Sequence, residues 1–416
     1  MIHTSNYLPA VLPVYGDCTR DEIDRLQDMS VTVALNREKI QEIGRVGTVA
    51  WRKNTPSVQV SLKQNEYGSI AFWNTLANKP AATTTLALTD FTTTAVDICG
   101  YKTDDSGVYL GTVQYPKLRI AGFGINIGDP ASIIERNFSL VGEDEFYWQA
   151  NNKYVVTLRD AGATAGAYSI VIGSGAYTTY PTPVYDPDVS GNTSFIQKVI
   201  RIRSGVSTEL TYIATAISAG TPDNYGYTSG SKTIGLWAQV GDIYKVWYTA
   251  TTYISGVQPF VNNDSDIGGT TADSATILLT AGNTVYRLQS VGLDVSFERV
   301  DKREIGNTAI VARGVKNKTV KVTLGRVLEA YTIEEILRGK LGASWGKLDM
   351  TKFGSSFKLF VKTYSDNTKS TFKLGYSADV LAPTGFDNGV PLQDYVTRSA
   401  TLEGEQLTIT NVEGSM

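Results

Sequence analysis

The stretch RLQDMSVTVALNREKIQEIGRVGTVAW (residues 25–51) returns, altered, as RLQSVGLDVSFERVDKREIGNTAIVAR (residues 287–313). A shift of 262 positions aligns the two without a gap, and the match runs on to residues 62 and 324. Thirteen of the 38 aligned positions are identical, among them Arg37/Arg299, Glu42/Glu304, Gly44/Gly306, Val58/Val320 and Leu62/Leu324. The same offset pairs RNFSLVGE (residues 136–143) with RSATLEGE (residues 398–405). A repeat of this length fixes the architecture before any local pattern does. It divides the chain into an N-terminal arm (1–24), a first module (25–148), an intervening segment (149–286) and a second module (287–416).

Within each module the period is that of strands. Val31, Val33 and Leu35 alternate with polar neighbours, as do Leu293, Val295 and Phe297. Val58, Val60 and Leu62, with Val320, Val322 and Leu324, form a second strand of the same kind. Alternation puts one side of each strand against a core and the other toward water. A short helix follows in each copy, over 69–78 with Ser69 as N-cap and from Thr332 with a Thr332/Glu335 capping box that ends at Gly339. Further strands are expected near 95–100, 109–113, 117–123 and 137–146, and near 357–364, 371–379 and 397–410. The intervening segment has short alternating runs separated by turn clusters such as 173–175 and 221–224, which predicts an inserted β-sandwich. The fold class is therefore mainly β: two tandem sandwich or barrel modules, each with one short α-helix, around an inserted β-domain. Pro9 and Pro13 keep the arm extended, as in arms that reach a neighbouring subunit.

Composition narrows the chemistry. Charged residues make up 19% of the chain and the net charge is -3, which argues against a general nucleic-acid binder. The single histidine, His3, leaves little room for histidine-based catalysis or His-ligated metal. Cys18 has no histidine to activate it, two cysteines do not build a disulfide scaffold, and Cys99 reads as a small buried hydrophobe. The glycines Gly122, Gly124 and Gly128 lack the lysine of a phosphate loop, and Asn262, Asp264, Asp266 and Gly268 lack the closing glutamate of a calcium loop. No enzyme activity, metal or cofactor is expected. No run is long enough to span a membrane, and the first residues lack the basic and apolar regions of a signal peptide, so synthesis in a cytoplasm is expected.

Strand, long polar loop, strand, capped helix and further strands, repeated, resembles the tail tube fold of bacteriophage major tail proteins and type VI secretion tube proteins. The segments QEIG (residues 41–44) and REIG (residues 303–306) stand where such proteins carry a loop that stacks on the next ring. Arg37, Glu42, Gly44, Arg299, Glu304 and Gly306 accordingly read as inter-ring contacts or as a salt-bridged structural turn. The resemblance implies six modules per ring. With two in each chain, it implies trimeric rings with pseudo-sixfold symmetry, stacked into a tube in the virion tail. The implied partners are further copies, other tail proteins such as tape measure and terminators, and DNA passing without specific binding. The lumen would be lined by Thr32, Asn36, Gln59, Ser61, Asp294, Ser296, Glu298, Thr319, Lys321 and Thr323, of which one is basic. Thr32 against Asp294 and Asn36 against Glu298 predict neutral and acidic modules in alternation. The insertion is expected on the outer wall. A carbohydrate-binding or adhesion role for that domain is the alternative, favoured by an exposed aromatic platform.

Overall fold

The computed structural model describes the chain apart from residues 1–6, 14–20, 24, 42–47, 49, 54–55, 80–81, 104–108, 130, 144, 150–153, 186–194, 204–205, 215–216, 219, 252–269, 280–282, 285–287, 303–311, 328–331, 340–348, 390–395 and 416. It is mainly β, with open antiparallel sheets and few short helices. Two compact units emerge: residues 1–22, 96–116 and 145–264 form one, and residues 23–95, 117–144 and 265–416 form the other.

The first unit holds residues 149–264 of the intervening segment; residues 265–286 belong to the second, where Ala275–Leu279 pairs with Phe357–Tyr364. Strands Tyr154–Asp160, Ile243–Ala250, Ile196–Arg203 and Val206–Glu209 form one sheet. Gly166–Val171, Thr233–Ala238, Asn224–Thr228 and Thr211–Tyr212 form another. Leu158, Val199 and Val246 from the first meet Ile170, Ile234 and Leu236 from the second in one core, as a sandwich requires. Residues 7–13 of the expected arm are a strand paired with Val96–Thr103 in the same unit.

The second unit is built on one sheet to which both repeats contribute. Its strands are β1 (Leu26–Ala34), β2 (Ser57–Asn65), β3 (Tyr109–Ile127, of which residues 119–127 pair here), β4 (Glu135–Gly142), β5 (Leu288–Lys302), β6 (Ala312–Val327), β7 (Phe372–Gly389) and β8 (Thr397–Gly404). Register places them in the order β1-β2-β4-β3-β5-β6-β8-β7, antiparallel throughout. The first four are one repeat and the last four the other, in the same internal order. The sequence reads β3 as two strands; the backbone runs through without a break between 113 and 117. The expected strand over 137–146 ends at Gly142, and Phe146–Gln149 is separate.

Helix α1 (Ala71–Leu76) is shorter than expected. Ser69 is not its N-cap: Ile70 holds that place without a side-chain bond, while the Ser69 hydroxyl accepts from the Ala71 N–H at 3.2 Å. Asn78 ends the turn at φ +55, a conformation asparagine tolerates. Helix α2 (Thr332–Arg338) ends as expected at Gly339, φ +67, with Ile333, Ile336 and Leu337 buried. The buried Trp73 of α1 meets Phe91, Phe123, Phe138 and Tyr376 edge-on, so one aromatic core joins residues of both copies. Val58, Val320, Leu293 and Val295 are buried as their alternation predicts. Val31, Val33 and Leu35 are not: Val33 is 37% and Leu35 57% exposed, because β1 is the end strand of the sheet.

Candidate assembly interface

Inside the chain the two repeats meet along β3 and β5. Six consecutive pairs run from Val291 opposite Ile127 to Ser296 opposite Gly122. Two glycines permit the close approach. A Cβ on Gly122 would stand 2.6 Å from the carbonyl oxygen of Val295, and one on Gly124 would stand 2.6 Å from Oδ1 of Asp294. On the apolar side the rings of Phe123 and Phe297 lie 6.4 Å apart. Arg299 then locks the joint. Its guanidinium donates to the Ile120 carbonyl, to the Thr92 carbonyl at 3.1 Å and to the Phe91 carbonyl at 3.2 Å. A side chain of the second repeat thus closes the backbone of the first, with the charge-assisted bonds that make such contacts strong.

The outer edges of this sheet carry no such joint. Among the described residues, β1 pairs only with β2, and residues 382–389 of β7 pair only with β8. Val33 on β1 and Leu35, the residue after its end, are the counterparts of Val295 and Phe297, which are 3% and 5% exposed. The first repeat therefore shows to solvent what the second buries against its neighbour.

The ten residues expected to line a lumen are exposed or half-buried, and nine lie on strands of this sheet. Thr32 stands opposite Gln59, Asp294 opposite Lys321, Ser296 opposite Thr319 and Glu298 opposite Asn317. Ser61 faces Ser30 and Ser139, and Thr323 faces Gly292. Asn36 follows the end of β1 at φ +46 and bonds Ser57 at 3.3 Å. The sequence reading missed the residues that complete the same rows. One row runs Asp28, Lys63, Asn137, Gly124, Asp294, Lys321, Glu403. Lys321 is flanked by two carboxylate-bearing positions, Lys63 pairs with Glu135 at 2.8 Å, and Lys316 pairs with Glu298 at 2.8 Å. Burial pushes the Asp294 carboxyl above its usual range, while Lys321 pulls the other way. Of the six turn residues, Arg37 is exposed, Arg299 forms the clamp, and Glu42, Gly44, Glu304 and Gly306 lie outside the described residues.

Buried charge supports the sheet from its apolar side. Arg136, fully buried, pairs with Glu66 at 3.4 Å and stacks over Tyr67 and Trp73. Tyr376 donates to the same carboxylate. Burial opposes the Arg136 charge, yet Glu66 raises its pKa above the ordinary arginine value; burial and then Glu66 push the Tyr376 hydroxyl far up. In the second repeat the equivalent Arg398 and Arg326 share Glu334 of α2.

In the inserted sandwich, Tyr185, Phe195 and Tyr227 cluster, with Tyr185 58% exposed. Their rings are inclined at 73° and 38°, so they offer no single flat face for a sugar ring. The calcium-like residues 262–268 lie outside the described residues. Cys99 is buried, as the sequence leads one to expect of a small hydrophobe.

No family model and no curated protein matches this chain. Two cryo-EM structures are among the solved structures that contain similar chains. One is the sheath–tube complex, in the extended state, of PVC, an extracellular contractile injection system: 9% identity, TM-score 0.27, covering 37% of this chain and all of that one. The other is the sixfold-symmetrised baseplate of the anti-feeding prophage: 11% identity, TM-score 0.27, covering 36% of this chain and 97% of that one. At such scores the likeness carries no functional argument.

Proposed function

We propose that this chain is the building block of a phage tail tube, a structural protein whose copies join edge to edge into rings that stack around a DNA conduit. One observation carries the reading: the chain already contains one finished joint between its two repeats, and among the described residues the two edges that would make the same joint again are unpaired. An open, partly apolar strand edge is a liability unless it is meant for pairing. Because the two edges differ, the contact is heterologous, and such contacts either close a ring or wind into a filament. Three copies of an eight-stranded sheet give a 24-stranded barrel. Barrels of 16–18 strands already hold water, so this one has room for a wider channel.

The polar rows would then face inward. Their acids and bases are interleaved, which leaves no basic track to hold phosphates, and tight phosphate contact would slow a passing duplex. Deletion of residues 149–264, the part of the insertion that belongs to the first unit, should leave polymerisation intact. Other tail components cap and measure the tube in the virion. Cryo-microscopy of the assembled protein tests the reading: stacked rings with threefold symmetry are expected. True sixfold rings of the whole chain, or a protein that stays monomeric at high concentration, would overturn it.

A further inference from the structure

We infer that Gly385 and Arg37 make the joint between chains, in the register that Gly122 and Arg299 use within the chain; this rests on the tube reading above. The repeat itself supplies the register. Phe138 faces Phe123 and Ala400 faces Phe386; Arg136 faces Ile125 and Arg398 faces Asn388. While β4 and β8 keep the offset of 262, their partners β3 and β7 are offset by 263 (386 minus 123). Both partners carry a one-residue irregularity at the matching place, Ala121 in β3 and Thr384 in β7. Gly385 is therefore the counterpart of Gly122, Phe386 of Phe123 and Asp387 of Gly124.

Among the described residues nothing calls for a glycine at 385. A Cβ there meets no atom within 4 Å, and its φ is not in the left-handed region. At the counterpart Gly122, the obstacle to a Cβ is the backbone oxygen of Val295 in the adjoining repeat. The residue matching Val295 is Val33 on the open edge of β1. A glycine notch that no described residue fills fits the β1 edge of a second copy, with Gly385 opposite Ala34, Phe386 opposite Val33 and Asp387 opposite Thr32. Phe386 is half-buried, and Val33 and Leu35 are exposed, so the joint also covers the apolar surface that β1 leaves open.

The clamp repeats as well. Arg37 stands opposite Lys53 in its hairpin as Arg299 stands opposite Val315 in the other. The carbonyls that Arg299 holds, those of Phe91, Thr92 and Ile120, correspond to those of Phe353, Gly354 and Pro383. That receiving site is already shaped: the Phe353 ring meets Phe386 at 5.5 Å, as Phe91 meets Phe123 at 5.7 Å. Short 3-10 turns lead into both: Leu88–Phe91 ends on Phe91, and Met350–Lys352 ends one residue before Phe353.

One consequence concerns charge. Within the chain the carboxylate at the joint is Asp294, opposite Gly124; between chains it is Asp387, opposite Thr32. The acid changes strands but not place. This row of the lumen therefore carries a carboxylate at all six joints, rather than at every second module as Thr32 and Asp294 alone predict.

The test uses the full chain. Gly385→Val should leave the unassembled subunit melting as wild type and lower the yield of rings at least about tenfold, since excluding one strand edge removes the whole joint. Thr32→Cys with Asp387→Cys should form inter-chain disulfides in assembled rings. Thr32→Cys with Gly389→Cys, displaced by roughly 7 Å along the strand, should not. Arg37→Ala should weaken assembly with no change in subunit melting. Rings that form normally with Gly385→Val, or that link through the displaced pair, would overturn this register while leaving the tube reading intact. A wild-type chain that forms no rings removes both.

Discussion

Leu293, Val295 and Phe297 are buried; Val31, Val33 and Leu35, with the same alternation on the matching strand, are half-buried or exposed. The local pattern is equal in the two copies, so it does not set the outcome. What differs is the neighbour. β5 has β3 along its other edge, with Phe123 over its apolar side, whereas the described structure gives β1 only β2. An amphipathic strand states that one face needs cover, and leaves open whether its own chain or another supplies it. The buried charges make a related point. Arg136 and Arg398 occupy one place in the repeat, yet the first finds Glu66 after β2 and the second finds Glu334 on α2. The duplicated framework has kept an internal arginine while its counter-charge has moved.

The largest effect expected is at that counter-charge. Glu66→Ala leaves Arg136 buried without its anion and should cost about 3–5 kcal/mol, or abolish the soluble fold. Glu334→Ala should cost a similar amount, because it strips both Arg326, 5% exposed at its side chain, and Arg398, 11% exposed, of the anion they share. Urea unfolding of unassembled subunits compares them; a much smaller loss for Glu334→Ala would show that water takes its place beside Arg326 and Arg398.

Next comes the apolar strand. Val295→Ser should destabilise the subunit by about 2 kcal/mol, whereas Val33→Ser should change it by less than about 0.5 kcal/mol. The order should reverse for assembly, with Val33→Ser the more harmful. A Val33→Ser subunit as unstable as Val295→Ser would mean that β1 is covered within its own chain.

Much of this was legible in the residues. The repeat, the alternating strands, the helix end at Gly339 and the sandwich pattern of the insert all depend on local spacing, which sequence displays directly. The joint does not. Gly122 and Gly124 looked like a failed phosphate loop, because their use lies in the approach of residues 294 and 295, far along the chain. Arg299 looked like a turn residue, since its three carbonyl partners are about 180–210 positions away. Ser69 had the chemistry of a cap, but packing of α1 fixed the helix start two residues later. The second offset, 263, was the available signal: a one-residue gap aligns Gly122 with Gly385 and Phe123 with Phe386.

Two carboxylates should separate on acidification. Asp242, in the insert, loses hydration by burial, but Arg203 at 2.7 and 2.6 Å and the Gln239 N–H at 2.8 Å hold its pKa below the ordinary value. A depressed carboxylate stabilises the fold above its unfolded pKa of about 4, and the contribution fades as pH falls through the folded value. The insert should therefore melt at lower temperature below about pH 4. Asp242→Asn should flatten that dependence. An unchanged acid profile in the variant would show that the Arg203 pair does not control it.

The smallest effect is the one that makes the two copies alike. Asp294 has its pKa raised, chiefly by burial, with Lys321 opposing. For a raised carboxyl the sign is opposite to that of Asp242: the cost is present above the folded pKa and is relieved as pH falls. Asp294→Thr, which gives the second copy the residue of Thr32, should stabilise the subunit at neutral pH by about 0.5 kcal/mol or less, because the position is solvent-exposed and screened. The gain should shrink toward acid pH, where the wild-type carboxyl is already neutral. A gain that persists there would assign the effect to packing beside Gly124. A loss at neutral pH would show that the Lys321 attraction outweighs desolvation.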